Sequence, residues 1–222
     1  MDAYKILEIK ESVFENNDRE AELLRADLKK EGTFLVNLMS SPGSGKTTTL
    51  CALIRALQGK WRIGVMEADI DGEVDAATIA AAGAKSIQLH TGGMCHLDAG
   101  MTRQGLQGMG TDDVDIVVLE NVGNLVCPAE FDTGSMLNVA ILSVPEGDDK
   151  PVKYPLMFSV CDAVLINKID VADYFDFDME RCCKAIHALK SDAQIFPISA
   201  ATGEGIAAVA DWLSSKAAAW LN

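Results

Sequence analysis

The sequence predicts an α/β protein, a mostly parallel β-sheet with helices on both of its faces. Short apolar, β-type runs alternate with stretches of helical periodicity, which is typical of successive βα units. A polar motif follows nearly every apolar run, at the strand ends where α/β sheets bind ligands. The length of 222 residues is sufficient for one such domain with a sizeable core.

The first predicted elements are an amino-terminal helix and the strand and helix on either side of a glycine-rich loop. Residues 1–32 are charged and helical, and Leu23, Leu24 and Leu28 give them a partial apolar stripe. We expect a helical arm docked on the domain, the alternative being a partner-binding arm, and one domain over 33–222. Phe34–Met39 is the first predicted strand, and it is followed after a glycine-rich loop by a helix over Thr48–Leu57.

The later elements follow in order. Further strands are predicted at Arg62–Glu67, Ser86–Leu89, Val114–Leu119, Val139–Val144, Ala163–Ile166 and Gln194–Ile198. Further helices are predicted at Val74–Ala82, Leu97–Leu106, Met179–Leu189 and Glu204–Trp220, with a polar loop from Pro145 to Pro155 and a short helix after it.

Composition excludes several classes of function. A formal net charge of −14 and a pI near 4.5 argue against non-specific binding to nucleic acid or to an anionic membrane, because both need a basic face. No apolar run approaches the roughly 18 residues of a membrane span, and the amino terminus has no signal-like core. Six irregularly spaced cysteines do not form a disulfide framework, so we expect a cytoplasmic protein with no nucleic-acid or membrane partner.

The loop Ser40–Thr47, Ser-Ser-Pro-Gly-Ser-Gly-Lys-Thr, is typical of a phosphate-binding loop. Its glycines let several backbone N–H groups point at a phosphate, a lysine adds charge at the β- and γ-phosphates, and the following helix adds its positive dipole end. Ser40 stands where the usual pattern has glycine, and a plain strand-to-helix linker is the alternative. The predicted nucleotide-binding residues are Gly43, Ser44, Gly45, Lys46, Thr47 and Thr48. The predicted fold is therefore a three-layer P-loop NTPase.

A second motif, Asn167-Lys168-Ile169-Asp170, directly follows an apolar strand about 120 residues later. A buried Asp170 would accept the ring N–H and the amine of guanine, which adenine does not match. Asn167 would brace the loop, the stem of Lys168 would lie over the base, and Ser199-Ala200 follows the next strand. Together these residues favour GTP over ATP.

Magnesium and catalysis require hard oxygen ligands and charge near the phosphates. Thr47 is the direct candidate, and Glu120 and Asp69 each end a strand; solvated carboxylates are the alternative for both acids. The predicted catalytic residues are Lys46, Thr47, Asp69 and Glu120. The residues do not identify the group that orients the attacking water. Asp69 and Asp75 are the candidates within the chain, and a trigger from a partner or from dimerisation is the alternative.

Cys95, His96 and Cys127 form the second candidate site. Two thiolates and an imidazole suit Ni²⁺ or Zn²⁺ and suit Mg²⁺ or Ca²⁺ poorly. Spacing alone does not decide between metal ligands and buried structural cysteines. Because Cys127 lies on the segment that leaves Glu120, GTP binding has a route for moving a metal ligand. The other cysteines are expected to be structural.

These motifs resemble the HypB family of nickel-insertion GTPases. The resemblance runs from Phe34 to the C-terminus and includes Thr-Gly-Gly-Met-Cys-His-Leu-Asp-Ala, Glu-Asn-Val-Gly-Asn-Leu-Val-Cys-Pro and Glu-Gly-Asp-Asp-Lys-Pro-Val-Lys-Tyr-Pro. It implies a GTPase that assists nickel insertion during [NiFe]-hydrogenase maturation, with the large-subunit precursor and other maturation proteins as partners. It also implies a nucleotide- and metal-dependent homodimer whose two subunits supply the nickel or zinc ligands, with Lys153 near the partner's nucleotide.

Some residues depart from the family pattern. Residues 1–32 contain neither Cys nor His, so the metal-storage segment of some members is not expected. Ala68, Met94 and Ala201 stand where glycine, glycine and lysine are common. Two alternatives remain open: a regulatory GTPase with structural cysteines, and the urease nickel-insertion GTPase UreG, which has Cys-Pro-His in place of Cys95-His96.

Overall fold

The computed structural model describes the backbone of residues 3–69 and 74–222, and the side chains of residues 14–68 and 78–222. Within these ranges seven strands form one sheet: β1 (Phe34–Ser40), β2 (Ile63–Asp69), β3 (Lys85–His90), β4 (Ile116–Glu120), β5 (Leu137–Ser143), β6 (Ala163–Asn167) and β7 (Gln194–Pro197). The α-helices are α1 (Ala3–Glu31), α2 (Lys46–Leu57), α3 (Val74–Ala81), α4 (Ala99–Met109), α5 (Lys150–Lys153), α6 (Pro155–Ser159), α7 (Met179–Leu189) and α8 (Ile206–Leu221).

The sheet is parallel at every pairing, in the order β3-β2-β4-β1-β5-β6-β7. This confirms the predicted α/β class, since parallel strands need helical crossovers between them. β1 lies at the centre, so the loop that leaves it is flanked by the ends of β4 and β5. The register pairs Leu38 of β1 with Glu120 of β4, and Glu120 in turn with Glu67 of β2.

Helices cover both faces of the sheet, which confirms three layers. On one face α2 and α8 pack on the strands through side chains such as Leu50, Ile54 and Leu213. On the other face two apolar clusters lie side by side. One is built with α1 and α4, and the second with α6 and α7 around Phe158 and Ile186.

The helix α1 packs on this second face through Ala21, Leu24 and Leu28, which are buried. Leu23 is 54% exposed, so its place in the predicted apolar stripe is wrong. Positions three and four residues apart share a helix face, and Leu23 lies one residue off the buried row. The division into an arm over 1–32 and a domain over 33–222 stays a prediction. None of the helices that the structure describes is both long and apolar enough to cross a membrane.

Several element boundaries differ from the prediction by one or two residues, and two of the differences have a clear local cause. The helix predicted from Leu97 begins at Ala99, because the Asp98 carboxylate accepts from the N–H of Met101 and acts as the N-cap. The predicted loop after β5 contains a 3₁₀ turn, Val144–Glu146, and α5. Proline near the start of each is compatible with a first helical turn.

Candidate functional site

The loop between β1 and α2 has the geometry of a phosphate-binding loop. Gly43 and Gly45 have φ of 75° and 97°, and Gly45 occupies the N-cap position of α2. A Cβ added to Gly45 would lie 2.5 Å from Asn167 Nδ2, so this position has no room for a side chain. The hydroxyl of Ser44 is buried and has no hydrogen-bond partner among the described residues. These features favour an anion bound by the loop.

A cleft of about 550 Å³ opens at this loop, at the carboxyl edge of the sheet. Its size is in the usual range for small-molecule sites. The cleft combines the phosphate loop, two strand-end carboxylates and one lysine from the second motif. Its lining residues are Pro42, Gly43, Gly45, Lys46, Thr47, Thr48, Glu67, Ala68, Glu120, Val122, Gly123 and Lys168.

Asn167 joins the phosphate loop to the loop after β7. Its Nδ2 donates to the carbonyl of Ser44 at 2.9 Å, and its Oδ1 accepts from the N–H of Ala200 at 3.1 Å. Asn167 is buried, so these bonds are shielded from water. Ser199 is buried beside it. The structure therefore brings three predicted segments together through one amide.

Lys168 and Asp170 complete the second motif. Lys168 has a positive φ of 65°, and its Nζ donates to the carbonyl of Gly43 at 2.8 Å, which lays its stem along the phosphate loop. Asp170 is exposed, which differs from the burial we expected. It lies in a 3₁₀ turn, Ile169–Tyr174, of which no residue is buried. Lys168 lines the cleft, whereas Asp170, two residues later in the chain, is not among the lining residues.

The carboxylates of the cleft include one that the sequence analysis missed. Glu120 is buried at the end of β4, as expected for an acid near Mg²⁺. Glu67 is also buried and lies directly beside Glu120 in the sheet register. Glu67 is a charged residue within the otherwise apolar run of β2, and this feature of the sequence could have identified it as a candidate site residue. The side chains of Asp69 and Asp75 lie outside the described residues, so their predicted roles stay predictions.

The loops that carry Cys95 and Cys127 meet through their thiols. Cys95 is exposed, and its Sγ is 3.9 Å from Nδ1 of His96. Its hydrogen bond to the half-buried Cys127, together with partial burial, raises the pKa of the Cys127 thiol. Cys95 therefore stands between the other two predicted ligands.

The imidazole of His96 is held by a ring contact. It stacks on Phe131 with 3.9 Å between ring centroids and an 8° angle between planes. Burial lowers the pKa of His96 against the opposing effect of Asp98 and Glu130, which favours the neutral, metal-binding form. Across the described residues, no group of three or more His, Cys, Asp or Glu side chains is placed to hold one metal ion. The predicted three ligands do not converge on a single point within one chain.

The other cysteines and Lys153 lie apart from this cluster. Cys51, Cys161 and Cys182 are buried, and burial raises the pKa of the Cys182 thiol to about 12, which makes it a poor metal ligand. Lys153 pairs with Asp149 at 2.5 Å. Its expected contact with a partner's nucleotide stays a prediction.

The segment after β4 connects the cleft to Cys127. A Cβ added to Gly123 would lie 3.1 Å from Pro42 Cγ and 3.4 Å from Lys46 Nζ, so this backbone rests on the phosphate loop. Asn124 then closes a turn by accepting from the N–H of Val126 at 2.8 Å. Only a short stretch of chain separates the phosphate loop contact from the Cys127 thiol.

Comparison with known proteins extends this geometry. The CobW/HypB/UreG nucleotide-binding domain family matches residues 34–197, about three quarters of the chain and all seven strands. The hydrogenase maturation factor HypB of Escherichia coli is 42% identical over 97% of this chain and 74% of its own length. A hydrogenase/urease maturation factor HypB of Helicobacter hepaticus is 40% identical over 96% of this chain and 89% of its own length.

A solved structure agrees with the fold. The crystal structure of HypB from Helicobacter pylori in complex with nickel superposes with a TM-score of 0.86, at 38% identity. The superposition covers 92% of this chain and 96% of that chain. The resemblance inferred from the motifs is thereby confirmed along almost the whole length. The chain belongs to the HypB family of CobW/HypB/UreG nucleotide-binding proteins.

Proposed function

We propose that this protein is a GTP-hydrolysing metallochaperone that binds nickel, or zinc, and assists nickel insertion during [NiFe]-hydrogenase maturation. The relatives named as hydrogenase maturation factors, and the nickel complex of the Helicobacter pylori protein, support this role. The cleft and the adjoining thiols support the same role chemically, because one site binds phosphate and the other offers soft ligands.

In the cleft, the phosphate loop binds the phosphates of GTP through its backbone N–H groups, and Lys46 adds a positive charge. The buried carboxylate of Glu120 and the hydroxyl of Thr47 give a set of hard oxygen donors that suits Mg²⁺, with Asp69 as a further candidate. When bound, Mg²⁺ neutralises charge on the β- and γ-phosphates. Asp170 is the proposed guanine acceptor, because its carboxylate can accept from the ring N–H and from the amine of guanine, a pair of donors that adenine lacks.

The observation that carries the proposal is the contact of Gly123 with Pro42 and Lys46. A Cβ at Gly123 would lie only 3.1 Å from Pro42, so this backbone packs closely on the phosphate loop. In our proposal, a shift of the phosphate loop on nucleotide binding therefore moves the segment that leads to Cys127. The position of Cys127, a proposed metal ligand, therefore depends through the backbone on whether GTP or GDP is bound. Such a two-state segment is what a nucleotide-gated metal switch requires.

The metal is cargo in this scheme. The Cys95 and Cys127 thiols, once deprotonated, and the neutral imidazole of His96 suit Ni²⁺ and Zn²⁺ alike. The described residues of one chain do not by themselves surround one ion, and the family resemblance implies that a second copy of the chain supplies further ligands. We therefore propose a homodimer that depends on nucleotide and metal, with Lys153 reaching the partner's nucleotide.

The proposed partners are the hydrogenase large-subunit precursor and other maturation proteins, in the cytoplasm. Urease is a second candidate recipient, since the relative from Helicobacter hepaticus is named a hydrogenase/urease maturation factor. Nickel transfer from the loaded protein to each purified apo-enzyme precursor would distinguish the two recipients.

The test is a nickel titration of the purified protein bound to GDP and bound to a non-hydrolysable GTP analogue. We expect nickel affinity or stoichiometry to differ between the two states, and the difference to vanish in Cys127→Ala. Cys183→Ala, a half-buried cysteine on α7, is the matched control and should behave as wild type. Equal binding in both states would refute coupling through the segment after Gly123. No Cys127-dependent binding would refute the metallochaperone and favour a regulatory GTPase.

A further inference from the structure

The inward face of α1 contains one polar residue that its packing does not explain. Ala21, Leu24 and Leu28 are buried, and Phe14 continues the same row towards the amino terminus. Asn17 occupies the position between Phe14 and Ala21 in this row of helical spacing, where an apolar side chain would be expected. It is partly buried rather than exposed. A polar side chain on a packed face is costly unless its hydrogen-bonding groups are satisfied.

Both ends of the Asn17 amide are used, and each reaches a different loop. Oδ1 accepts from the backbone N–H of Ala99 at 3.0 Å. Nδ2 donates to the backbone carbonyl of Asp132 at 2.9 Å. The two partners fix the orientation of the amide, because one is only a donor and the other only an acceptor. One side chain therefore links two segments that are distant in the sequence.

These two segments carry the metal-ligand candidates. Ala99 begins α4 three residues after His96, and its N–H is one of the first helical donors that lack an intrahelical partner. Asp132 lies five residues after Cys127. Asn17 thus ties the loop that holds Cys95 and His96 to the loop that holds Cys127.

Other contacts join α1 to the same two segments. Arg25 binds the Asp132 carboxylate through both of its terminal nitrogens, at 2.8 and 2.7 Å. Phe14 packs on Phe131 with 5.0 Å between ring centroids, and Phe131 is the ring on which His96 stacks. Since these contacts each hold one loop, Asn17 differs from them in bonding both loops with the same side chain.

We propose that Asn17 is a positioning residue for the metal cargo site, acting by holding the Cys95–His96 loop and the Cys127 loop in register. This inference rests on the proposed function. Without Asn17 the two loops keep the His96–Phe131 stack and the Cys95–Cys127 contact but lose the two bonds that tie both of them to α1. The distance between the loops then varies more, and the thiols spend less time within reach of one ion. Residues that orient metal ligands from outside the coordination sphere typically change affinity by about 10- to 100-fold, and a loss of about tenfold is expected here.

The experiment compares three variants of the full-length protein by nickel titration, with nickel-to-thiolate absorption recorded at each step. Asn17→Ala removes both bonds. Asn17→Asp keeps the acceptor for the Ala99 N–H but loses the donor to Asp132. Asn16→Ala is the matched control, because Asn16 is exposed on the same helix and bonds only to the exposed side chain of Arg19 among the contacts described.

Asn17→Ala and Asn17→Asp should both bind nickel about tenfold more weakly than wild type, with unchanged GDP affinity. Asn16→Ala should bind nickel and GDP as wild type does. Hydrogen exchange in metal-free protein separates positioning from folding, since the Ala99 amide should lose protection in Asn17→Ala and keep it in Asn17→Asp. A folded Asn17→Asp with wild-type nickel affinity would overturn the inference. If wild-type protein itself shows no Cys127-dependent nickel binding, the proposed function fails first, and this inference fails with it.

Discussion

Gly45→Ala isolates the closest contact in the nucleotide site. Gly45 has φ of 97°, and the added methyl group would lie 2.5 Å from Asn167 Nδ2, a distance that van der Waals contact forbids. Asn167 has little freedom to retreat, because its amide is bonded to Ser44 and Ala200. The variant therefore imposes a left-handed conformation on alanine, at about 1–2 kcal/mol. It also breaks a buried hydrogen bond, at about 1–3 kcal/mol. Together these give a loss of about 2–5 kcal/mol in the free energy of unfolding.

Gly43→Ala provides the matched control. Gly43 lies in the same loop with a φ of 75°, but an added Cβ would meet no atom of the described residues within 4 Å. Its cost is limited to the backbone, about 1–2 kcal/mol. Urea unfolding of the nucleotide-free proteins should therefore show Gly45→Ala to be less stable than Gly43→Ala by about 1–3 kcal/mol. GDP affinity should also fall in Gly45→Ala, because Asn167 no longer holds the phosphate loop against Ala200.

A double-mutant cycle decides whether Asn167 is the cause. In an Asn167→Ala background the nearest remaining neighbour of the Gly45→Ala methyl group is Lys168 Cε at 3.9 Å, an ordinary van der Waals distance. The extra cost relative to Gly43→Ala should therefore disappear. Equal destabilisation by the two glycine variants in the wild-type background would refute the reasoning. So would an extra cost that persists when Asn167 is absent, because the strain would then arise elsewhere in the loop.

Three further predictions concern charge and packing. Lys46→Ala should reduce GTP hydrolysis by roughly 100-fold or more in a phosphate-release assay and leave nickel binding by nucleotide-free protein unchanged. Leu28→Ala should lower the free energy of unfolding by about 2–5 kcal/mol and Leu23→Ala by under about 0.5 kcal/mol, because Leu28 is buried and Leu23 is 54% exposed. Burial raises the pKa of Asp132, but bonds from Arg25 and the Gly134 N–H outweigh it and hold this pKa below its ordinary value. The stabilisation by the Arg25–Asp132 pair is therefore complete near neutral pH and is lost as the pH falls through the lowered pKa of Asp132. Arg25→Met should lower the free energy of unfolding by about 1 kcal/mol at pH 7 and make this free energy less dependent on pH in the acid range.

The fold was predictable because its signals are local. Each buried parallel strand is a short apolar run, and each run ends at a polar or glycine-rich turn. Met179–Leu189 is a helix with the predicted bounds, since the Asp178 carboxylate caps it and the apolar positions follow helical spacing. Where a cap lay inside the apolar run, as at Asp98, the predicted start was wrong by two residues.

The features of the site that depend on contacts between distant residues were harder to predict from the sequence. Asn167 was expected to brace a loop, and its partners in the structure are Ser44 and Ala200. Glu67 could have been noticed as a charged residue within an apolar run, but its position beside Glu120 follows only from the strand register. Asn17 was missed for a similar reason, since its partners are more than 80 residues away and a single polar residue in a helix carries no local signal. The role of Asn167 in nucleotide binding stays a prediction, and the role of Asn17 in metal binding is a proposal.

The contacts among the phosphate loop, the Cys127 loop and the Cys95–His96 loop limit how strongly nucleotide and metal can influence each other. Coupling between two sites is reciprocal, so if GTP alters nickel affinity by a given factor, nickel alters GTP affinity by the same factor. The route through Gly123 touches Lys46 at one end and leads to Cys127 at the other, whereas Cys95 and His96 lie on a different loop, joined to it through Asn17 and the stack on Phe131. A nucleotide-driven shift of Cys127 changes metal affinity only if the other loop does not follow it. The bonds that hold the Cys95–His96 loop and the Cys127 loop in register therefore affect two quantities. They raise the affinity for the metal, and they limit how much a bound nucleotide can change that affinity.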